Sequence, residues 1–88
     1  MKFTLFSYGT SCPAQWSGHD ENGRDVYVRY RWGRLAVEIG SITLFRDEIG
    51  PPGDGYLDDS GLVYFLGKRG IDCEFVDPDD YAAADSVR

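Results

Sequence analysis

Apolar and polar residues alternate most regularly between Asp25 and Phe45, and this stretch predicts three antiparallel strands joined by short turns. If the first turn lies at Trp32-Gly33, three of the cross-strand pairs are entirely apolar: Tyr30/Leu35, Val28/Val37 and Val26/Ile39. Residues that face each other across two strands share one side of the sheet, so a slip of one position would scatter these pairs. The register therefore predicts one continuous core face.

A second turn at Gly40-Ser41 extends the same face into the third strand. It predicts the pairs Ile39/Ile42, Glu38/Thr43, Val37/Leu44 and Ala36/Phe45. The outer face of this meander then carries arginines and aromatic residues, with a tryptophan at the first turn. These side chains are the candidate basic and aromatic binding residues: Tyr27, Arg29, Arg31, Trp32, Arg34 and Phe45.

Weaker patterns predict elements on either side of the meander. Lys2 to Tyr8 alternates and contains aromatic residues, which favours a first strand, and Ile71 to Val76 is typical of a last strand. Residues 10–23 contain a proline and two glycines among polar residues, so they predict a long connection that ends in an Asn22-Gly23 turn. Two prolines and three glycines predict a loop over residues 47–59.

The segment before the last strand admits two interpretations. A helix over about 59–69 places Leu62 and Leu66 on one face, with Asp59 or Ser60 as its cap and Gly70 at its end. A hairpin that pairs residues 62–66 with residues 71–75 is the alternative, because glycines inside the segment weaken a helix. We favour the helix, since the apolar face of the sheet needs a cover. The sequence Asp-Pro-Asp-Asp from residue 77 predicts a second short helix over 78–87.

These patterns predict an α+β fold in one small globular domain, residues 1–88. We expect a four- or five-stranded, mainly antiparallel sheet with one or two short helices on one face. The predicted strands span about 2–8, 25–32, 34–39, 42–46 and 71–76, and the predicted helices span about 59–69 and 78–87.

Charge divides the chain into two unequal parts. Residues 1–46 carry six Lys or Arg against four acidic residues, a net of +2, whereas residues 47–88 carry three against eleven, a net of −8. The asymmetry predicts a dipolar surface on which an acidic face could bind a basic partner. The candidate residues of that acidic face are Asp47, Glu48, Asp54, Asp58, Asp59, Asp77, Asp79 and Asp80.

Nothing in the chain has the spacing of a catalytic, cofactor or dedicated metal site. Cys12 and His19 could be drawn as a nucleophile and its base, but they lack a signature spacing and a third group. The acidic loop of residues 53–59 lacks the alternating ligands of a calcium-binding loop. The two cysteines leave open whether they are bonded. We therefore expect a non-enzymatic protein without a cofactor, with a cysteine-dependent enzyme as a remote alternative.

Two motifs carry a resemblance. The N-terminal pattern F-x-L…G-T-x-C-P-x-Q-W, from Phe3 to Trp16, and the Gly53–Asp59 pattern G-D-G-x-L-D-D are similar to those of small uncharacterised acidic proteins of bacteria and phages. The resemblance covers about two thirds of the chain. It implies a bacterial or phage-infected cytoplasm as the setting, and it implies no activity, because its motifs are structural.

The leading functional expectation is an acidic module that binds a protein partner. It would act as a phage-type inhibitor of a host nucleic-acid-handling or defence complex, for instance as a nucleic-acid mimic. The alternative is that the arginine and aromatic face binds a nucleotide or single-stranded nucleic acid. The first residues contain too short an apolar stretch for a signal peptide or a membrane span, so we expect a cytoplasmic protein with no membrane contact. Monomer and homodimer both remain open.

Overall fold

The computed structural model describes residues 1–7 and 14–77, and these form a six-stranded sheet with one helix. The elements are β1 (Lys2–Ser7), β2 (Ala14–Asp20), β3 (Asp25–Arg31), β4 (Arg34–Ile39), β5 (Ile42–Glu48), α1 (Asp59–Gly67) and β6 (Asp72–Phe75). The predicted α+β class is confirmed. The sheet has one strand more than the upper prediction, and the predicted helix over 78–87 lies outside the described residues.

The order of the strands across the sheet is β5-β4-β3-β2-β1-β6. The first five strands follow one another as an antiparallel meander, and β6 pairs with β1 in parallel. After β5 the chain therefore leaves one edge of the sheet and returns at the other edge. The segment between them contains α1, which buries Leu62 and Leu66 against the core face.

The meander has the predicted register between β3 and β4, from Val26 opposite Ile39 to Arg31 opposite Arg34. Between β4 and β5 the prediction is only half right. The pairs Ile39/Ile42 and Glu38/Thr43 are confirmed, but a β-bulge shifts the register next to Val37.

Because of the bulge, Phe45 lies opposite Val37, and Leu44 is the extra residue. The predicted pairs Val37/Leu44 and Ala36/Phe45 are therefore wrong. So is the placement of Phe45 on the outer face, because its ring packs against the core cluster.

The predicted connection over residues 10–23 is wrong for residues 14–20, which form strand β2. The misleading residue is Gly18, which lies inside β2. A Cβ atom on Gly18 would come within 1.8 Å of the Thr4 carbonyl oxygen, so only glycine allows the backbones of β1 and β2 to approach this closely. The predicted turn at Asn22-Gly23 is confirmed, and Gly23 has a φ of 79°.

The helix interpretation is confirmed over the hairpin. Asp58 caps the helix, and its side chain accepts a hydrogen bond from the Gly61 N–H at 2.8 Å, so the predicted caps Asp59 and Ser60 are each one or two positions late. Gly70 adopts a φ of 74° after the helix, as expected for the glycine that ends it.

The core lies between α1 and one face of the sheet. Its fully buried hydrophobic side chains come from four strands, β1 to β4, and from the helix: Phe3, Leu5, Trp16, Val28, Tyr30, Leu35, Val37, Leu62 and Leu66. The indole N–H of Trp16 donates to Asp59 at 2.9 Å, which ties β2 to the first turn of α1. Among residues 1–7 and 14–77, no helix is long and apolar enough to span a membrane.

Candidate functional site

The candidate site lies on the face of the sheet that points away from α1, which we call the open face. It carries the side chains that alternate with the core residues of β3, β4 and β5. Near the turn between β3 and β4, this face forms a shallow depression of about 580 Å³. The depression is lined by Arg29, Arg31, Trp32, Arg34, Ala36 and Arg46.

The strand register brings the four arginines of this depression together. Arg31 lies opposite Arg34, whereas Arg29 and Arg46 lie on either side of Ala36. Directly opposite residues on neighbouring strands have Cβ atoms about 4.5–5.5 Å apart, so three adjacent strands present guanidinium groups to one small area. We call these four side chains the arginine cluster.

Arg46 is the member that sequence reasoning missed, and it belongs to the cluster because of the bulge. In the predicted register Phe45 faces Ala36, and Arg46 falls opposite Leu35 on the core face. The extra residue in β5 exchanges the two, so that Arg46 faces Ala36 on the open face. No sequence signal revealed the bulge, because both registers place a charged residue of β5 opposite Leu35, Arg46 in the regular register and Asp47 in the observed one.

Most of the positive charge in the arginine cluster is not paired within residues 1–7 and 14–77. Arg34 contacts Glu48 at 3.4 Å, and both side chains are largely exposed. The guanidinium of Arg31 stacks over the Trp32 ring at 5.0 Å. For Arg29, Arg31 and Arg46 the described part of the chain supplies no ion pair. Such a concentration of cationic side chains attracts anions.

Trp32 has an unusual conformation at the tip of the β3–β4 hairpin. Its φ is 59° and that of Gly33 is 72°, the combination of a type I′ turn. Asn-Gly is the usual sequence of such turns, and a bulky side chain at positive φ is rare. A non-glycine residue in this region costs about 1–3 kcal/mol, and such strain concentrates at functional sites. The indole is nevertheless 65% exposed.

The loop that follows β5 holds this tip in place. The Gly33 N–H donates to the Asp54 carbonyl at 2.7 Å, and the Gly33 carbonyl accepts from the N–H groups of Ile49 and Gly50. The buried Tyr30 hydroxyl donates to the Asp54 carboxylate at 2.7 Å. Burial and the adjacent carboxylate raise the pKa of Tyr30 to about 12. The tip that carries Trp32 is therefore anchored from below.

A second, smaller depression lies on the open face, one row further along the strands. It has a volume of about 250 Å³, and its lining includes Phe6 and Tyr27. These two aromatic residues lie on either side of Ser17 in the row that crosses β3, β2 and β1. The Tyr27 hydroxyl donates to the Gln15 side chain at 2.8 Å, which fixes the ring beside Arg29. We call this depression the aromatic pocket.

Of the basic and aromatic candidates, the structure brings together all but Phe45. Tyr27 lies in the aromatic pocket, and Arg29, Arg31, Trp32 and Arg34 line the arginine depression. Phe45 lies on the other side of the sheet, where the Arg69 guanidinium stacks on its ring at 4.0 Å.

The acidic candidates that the structure describes mostly have partners within the fold. Asp47 pairs with Arg69, whose hydrogen bond lowers the pKa of that carboxyl. The other internal partnerships are Glu48 with Arg34, Asp54 with Tyr30, Asp58 with the Gly61 N–H, and Asp59 with Trp16. Asp77 is exposed, and Asp79 and Asp80 lie outside the described residues. The acidic binding face stays a prediction.

The described residues offer little for metal or thiol chemistry. Within residues 1–7 and 14–77, no group of three His, Cys, Asp or Glu side chains could hold a metal ion. Burial, and to a smaller extent the charge of Asp72, raises the pKa of Cys73 to about 11, so this thiol is protonated at neutral pH. Cys12 lies outside the described residues.

No protein-family model matches the chain, and neither a curated protein nor a solved structure shows significant similarity to it. The functional argument therefore depends on the open face itself.

Proposed function

We propose that the protein is a non-enzymatic binding protein that holds single-stranded nucleic acid on the open face of its sheet. The observation that carries the proposal is the arginine cluster beside Trp32. Three of its four arginines have no ion pair in the described ranges. The exposed Trp32 has a strained backbone conformation with a positive φ.

Single-stranded nucleic acid is an anionic partner that can use both the arginines and the exposed aromatic rings of the open face. Guanidinium groups bind phosphate oxygens through two parallel hydrogen bonds. Exposed aromatic rings stack on unpaired bases, and this contact accepts any base because every base has a flat face. An inorganic anion would use the arginines but would leave Trp32 and Tyr27 without a role.

The net charge of −6 repels a polyanion, but this repulsion acts only over a short distance. At physiological ionic strength, charges are screened over about 8 Å. Of the carboxylates on the open face of β3 to β5, Asp25 and Glu38 both lie beside Tyr27, away from the arginine cluster, and Glu48 is paired with Arg34. A weak or moderate affinity with a modest dependence on salt follows, in contrast to the steep dependence of strongly basic nucleic-acid-binding proteins.

The second candidate function is docking on a protein partner, as in the interpretation of the chain as an acidic inhibitor of a host complex. The observation that favours it is an apolar depression of about 380 Å³ at the opposite end of the sheet. Its lining includes Met1, Ile42 and Leu44, which are 47%, 72% and 43% exposed. Ile42 and Leu44 lie on the edge strand β5, and an exposed edge can accept a strand from another protein.

The test is a titration of the purified protein into a fluorescently labelled 12-nucleotide oligothymidylate at several NaCl concentrations. Each phosphate contact on a single strand contributes about 0.7 to the slope of log K against log[salt], so three contacts predict a slope of about −2. Arg29→Ala should reduce its magnitude by about 0.7. Lys68→Ala, which removes an equal charge from the helix side, should leave the slope unchanged.

Two results would overturn the proposal. One is the absence of binding by the unmodified protein at 20 mM salt or below. The other is an equal loss of affinity in the Lys68→Ala and Arg29→Ala proteins. Binding of an acidic polypeptide such as polyglutamate in place of the oligonucleotide would shift the assignment to a protein partner.

A further inference from the structure

We infer that the bound strand runs along β3 from Trp32 to the aromatic pocket, and that the protein therefore selects chains of at least three to four nucleotides over mononucleotides. This inference rests on the proposed function and specifies which nucleic acid the open face takes. It follows from the order of side chains along β3 and from their spacing.

The open-face side chains of β3 alternate in chemistry in a defined order. The row begins with Asp25 and Tyr27, which both line the aromatic pocket, continues with Arg29 and Arg31, and ends with Trp32 at the hairpin tip. Two aromatic contact points thus enclose two guanidinium groups. A single-stranded nucleic acid offers matching groups in the same order, because its bases can splay outward onto aromatic rings and its phosphates lie between them.

The distance between the two aromatic contact points exceeds the reach of one nucleotide. Trp32 is five residues beyond Tyr27, and a strand rises about 3.4 Å per residue, so the two positions are about 17 Å apart. A stacked nucleic-acid strand advances about 3.4 Å per nucleotide, so this distance corresponds to about five nucleotide spacings. A strand stretched to twice that spacing would still need about three nucleotides to reach from one to the other.

The size of the aromatic pocket supports a base as its occupant. Its volume of about 250 Å³ is below the range of roughly 300–1,000 Å³ that pockets for complete small molecules occupy. It suits one ring system whose sugar and phosphate remain outside. Because Tyr27 is two residues from Arg29 on the same face, the phosphate next to that base lies within reach of the arginine cluster.

The conformation of Trp32 supports a stacking role at the other end. Asparagine would satisfy the type I′ turn at this position with less strain, and Trp32, which is 65% exposed, gains little burial to offset that strain. Its contact within the described residues is the stacked Arg31 guanidinium. A residue that conflicts with its local backbone without a gain in packing is expected at a functional site.

The experiment measures competition by short oligonucleotides against the labelled 12-nucleotide oligothymidylate. Thymidine monophosphate and the dinucleotide should compete poorly, and the tetranucleotide should compete at least about 5-fold better than the dinucleotide, the smallest gain that one stacked base provides. Trp32→Asn should lower the affinity for the tetranucleotide by about 5- to 150-fold.

Two readouts separate a stacking role from a structural one. The thermal midpoint of the Trp32→Asn protein should not fall, because asparagine suits the turn. In the unmodified protein the tetranucleotide should quench tryptophan emission, since Trp32 is exposed and Trp16, the other tryptophan, is 1% exposed. Tyr64→Ala, which removes an exposed aromatic ring from α1, is the matched control and should leave the affinity unchanged.

The inference fails if the tetranucleotide competes no better than thymidine monophosphate, or if Trp32→Asn binds it as tightly as the unmodified protein. In either case a continuing effect of Arg29→Ala would show that the arginine cluster binds nucleotides without the path along β3. Loss of all oligonucleotide binding would instead remove the proposed function itself.

Discussion

The hydrogen bond between Tyr30 and Asp54 should be the polar contact on which the hairpin tip depends most. Tyr30 is 2% exposed, and its hydroxyl donates to the Asp54 carboxylate at 2.7 Å. Tyr30→Phe removes the hydroxyl and keeps the ring, so the change isolates this contact. A hydrogen bond to a charged group contributes about 1.5–3 kcal/mol, and we expect a loss of about 2 kcal/mol.

That loss can be measured as a shift in thermal unfolding. For a domain of 60–100 residues, 1 kcal/mol corresponds to about 4–8 °C, so the midpoint should fall by about 8–16 °C. Tyr64→Phe is the matched control, because Tyr64 is 58% exposed on α1 and its hydroxyl can bond to water instead. The control should change the free energy of unfolding by less than about 0.5 kcal/mol.

The pH dependence provides a second readout with a defined sign. The pKa of Tyr30 is raised from about 10 to about 12 by burial and by Asp54, so its contribution to stability is complete below pH 10. This contribution is lost as the pH rises from 10 to about 12. The difference in unfolding free energy between the unmodified and Tyr30→Phe proteins should therefore be constant up to pH 10 and shrink above it. Equal midpoints for Tyr30→Phe and Tyr64→Phe at pH 7 would refute the reasoning.

Two further substitutions test the open face and the sheet. Glu48→Gln should free Arg34 for phosphate and increase the magnitude of the salt slope of oligothymidylate binding by about 0.7, and an unchanged slope would mean that Arg34 does not contact the strand. Gly18→Ala should destabilise the protein by about 3 kcal/mol in urea unfolding, because its Cβ would collide with the Thr4 carbonyl. Gly53→Ala, whose Cβ would meet nothing within 4 Å, is the control and should be nearly neutral, whereas a small effect of Gly18→Ala would contradict the close approach of β1 and β2.

The helix and the meander could be predicted because their signals are local and mutually consistent. The β3–β4 register follows from Trp32-Gly33 and from apolar residues that coincide across the turn. Helix α1 follows from apolar spacing and from Gly70 at its end, although the capping residue was missed by one or two positions. These features depend on residues close together in the chain, which makes alternation and turn chemistry informative.

The two wrong predictions about the sheet, at Gly18 and at the bulge in β5, concern features that depend on a neighbouring strand. Such features cannot be recognised from residues close together in the chain. In the sequence Gly18 indicates a loop. In the fold it lies beside β1, where only a glycine allows the two backbones to approach this closely. No glycine or other turn residue marks the bulge at Leu44. The bulge determines that Arg46, and not Phe45, lies on the open face. Of the candidate site, Tyr27, Arg29, Arg31 and Arg34 could be predicted from the alternation, and Trp32 from the position of the turn.

By itself, the sequence determines that this protein has a sheet with one apolar face, and that arginines and aromatic residues alternate with that face along β3 and β4. The reason is that side chains alternate every residue in a strand, so composition at every second position defines both faces. The tertiary structure alone decides which charges remain available. Pairs such as Asp47 with Arg69 and Asp54 with Tyr30 join residues at least 22 positions apart, and only the completed fold brings them into contact. These contacts engage several carboxylates within the fold, whereas Arg29, Arg31 and Arg46 on the open face have no ion pair within the described chain.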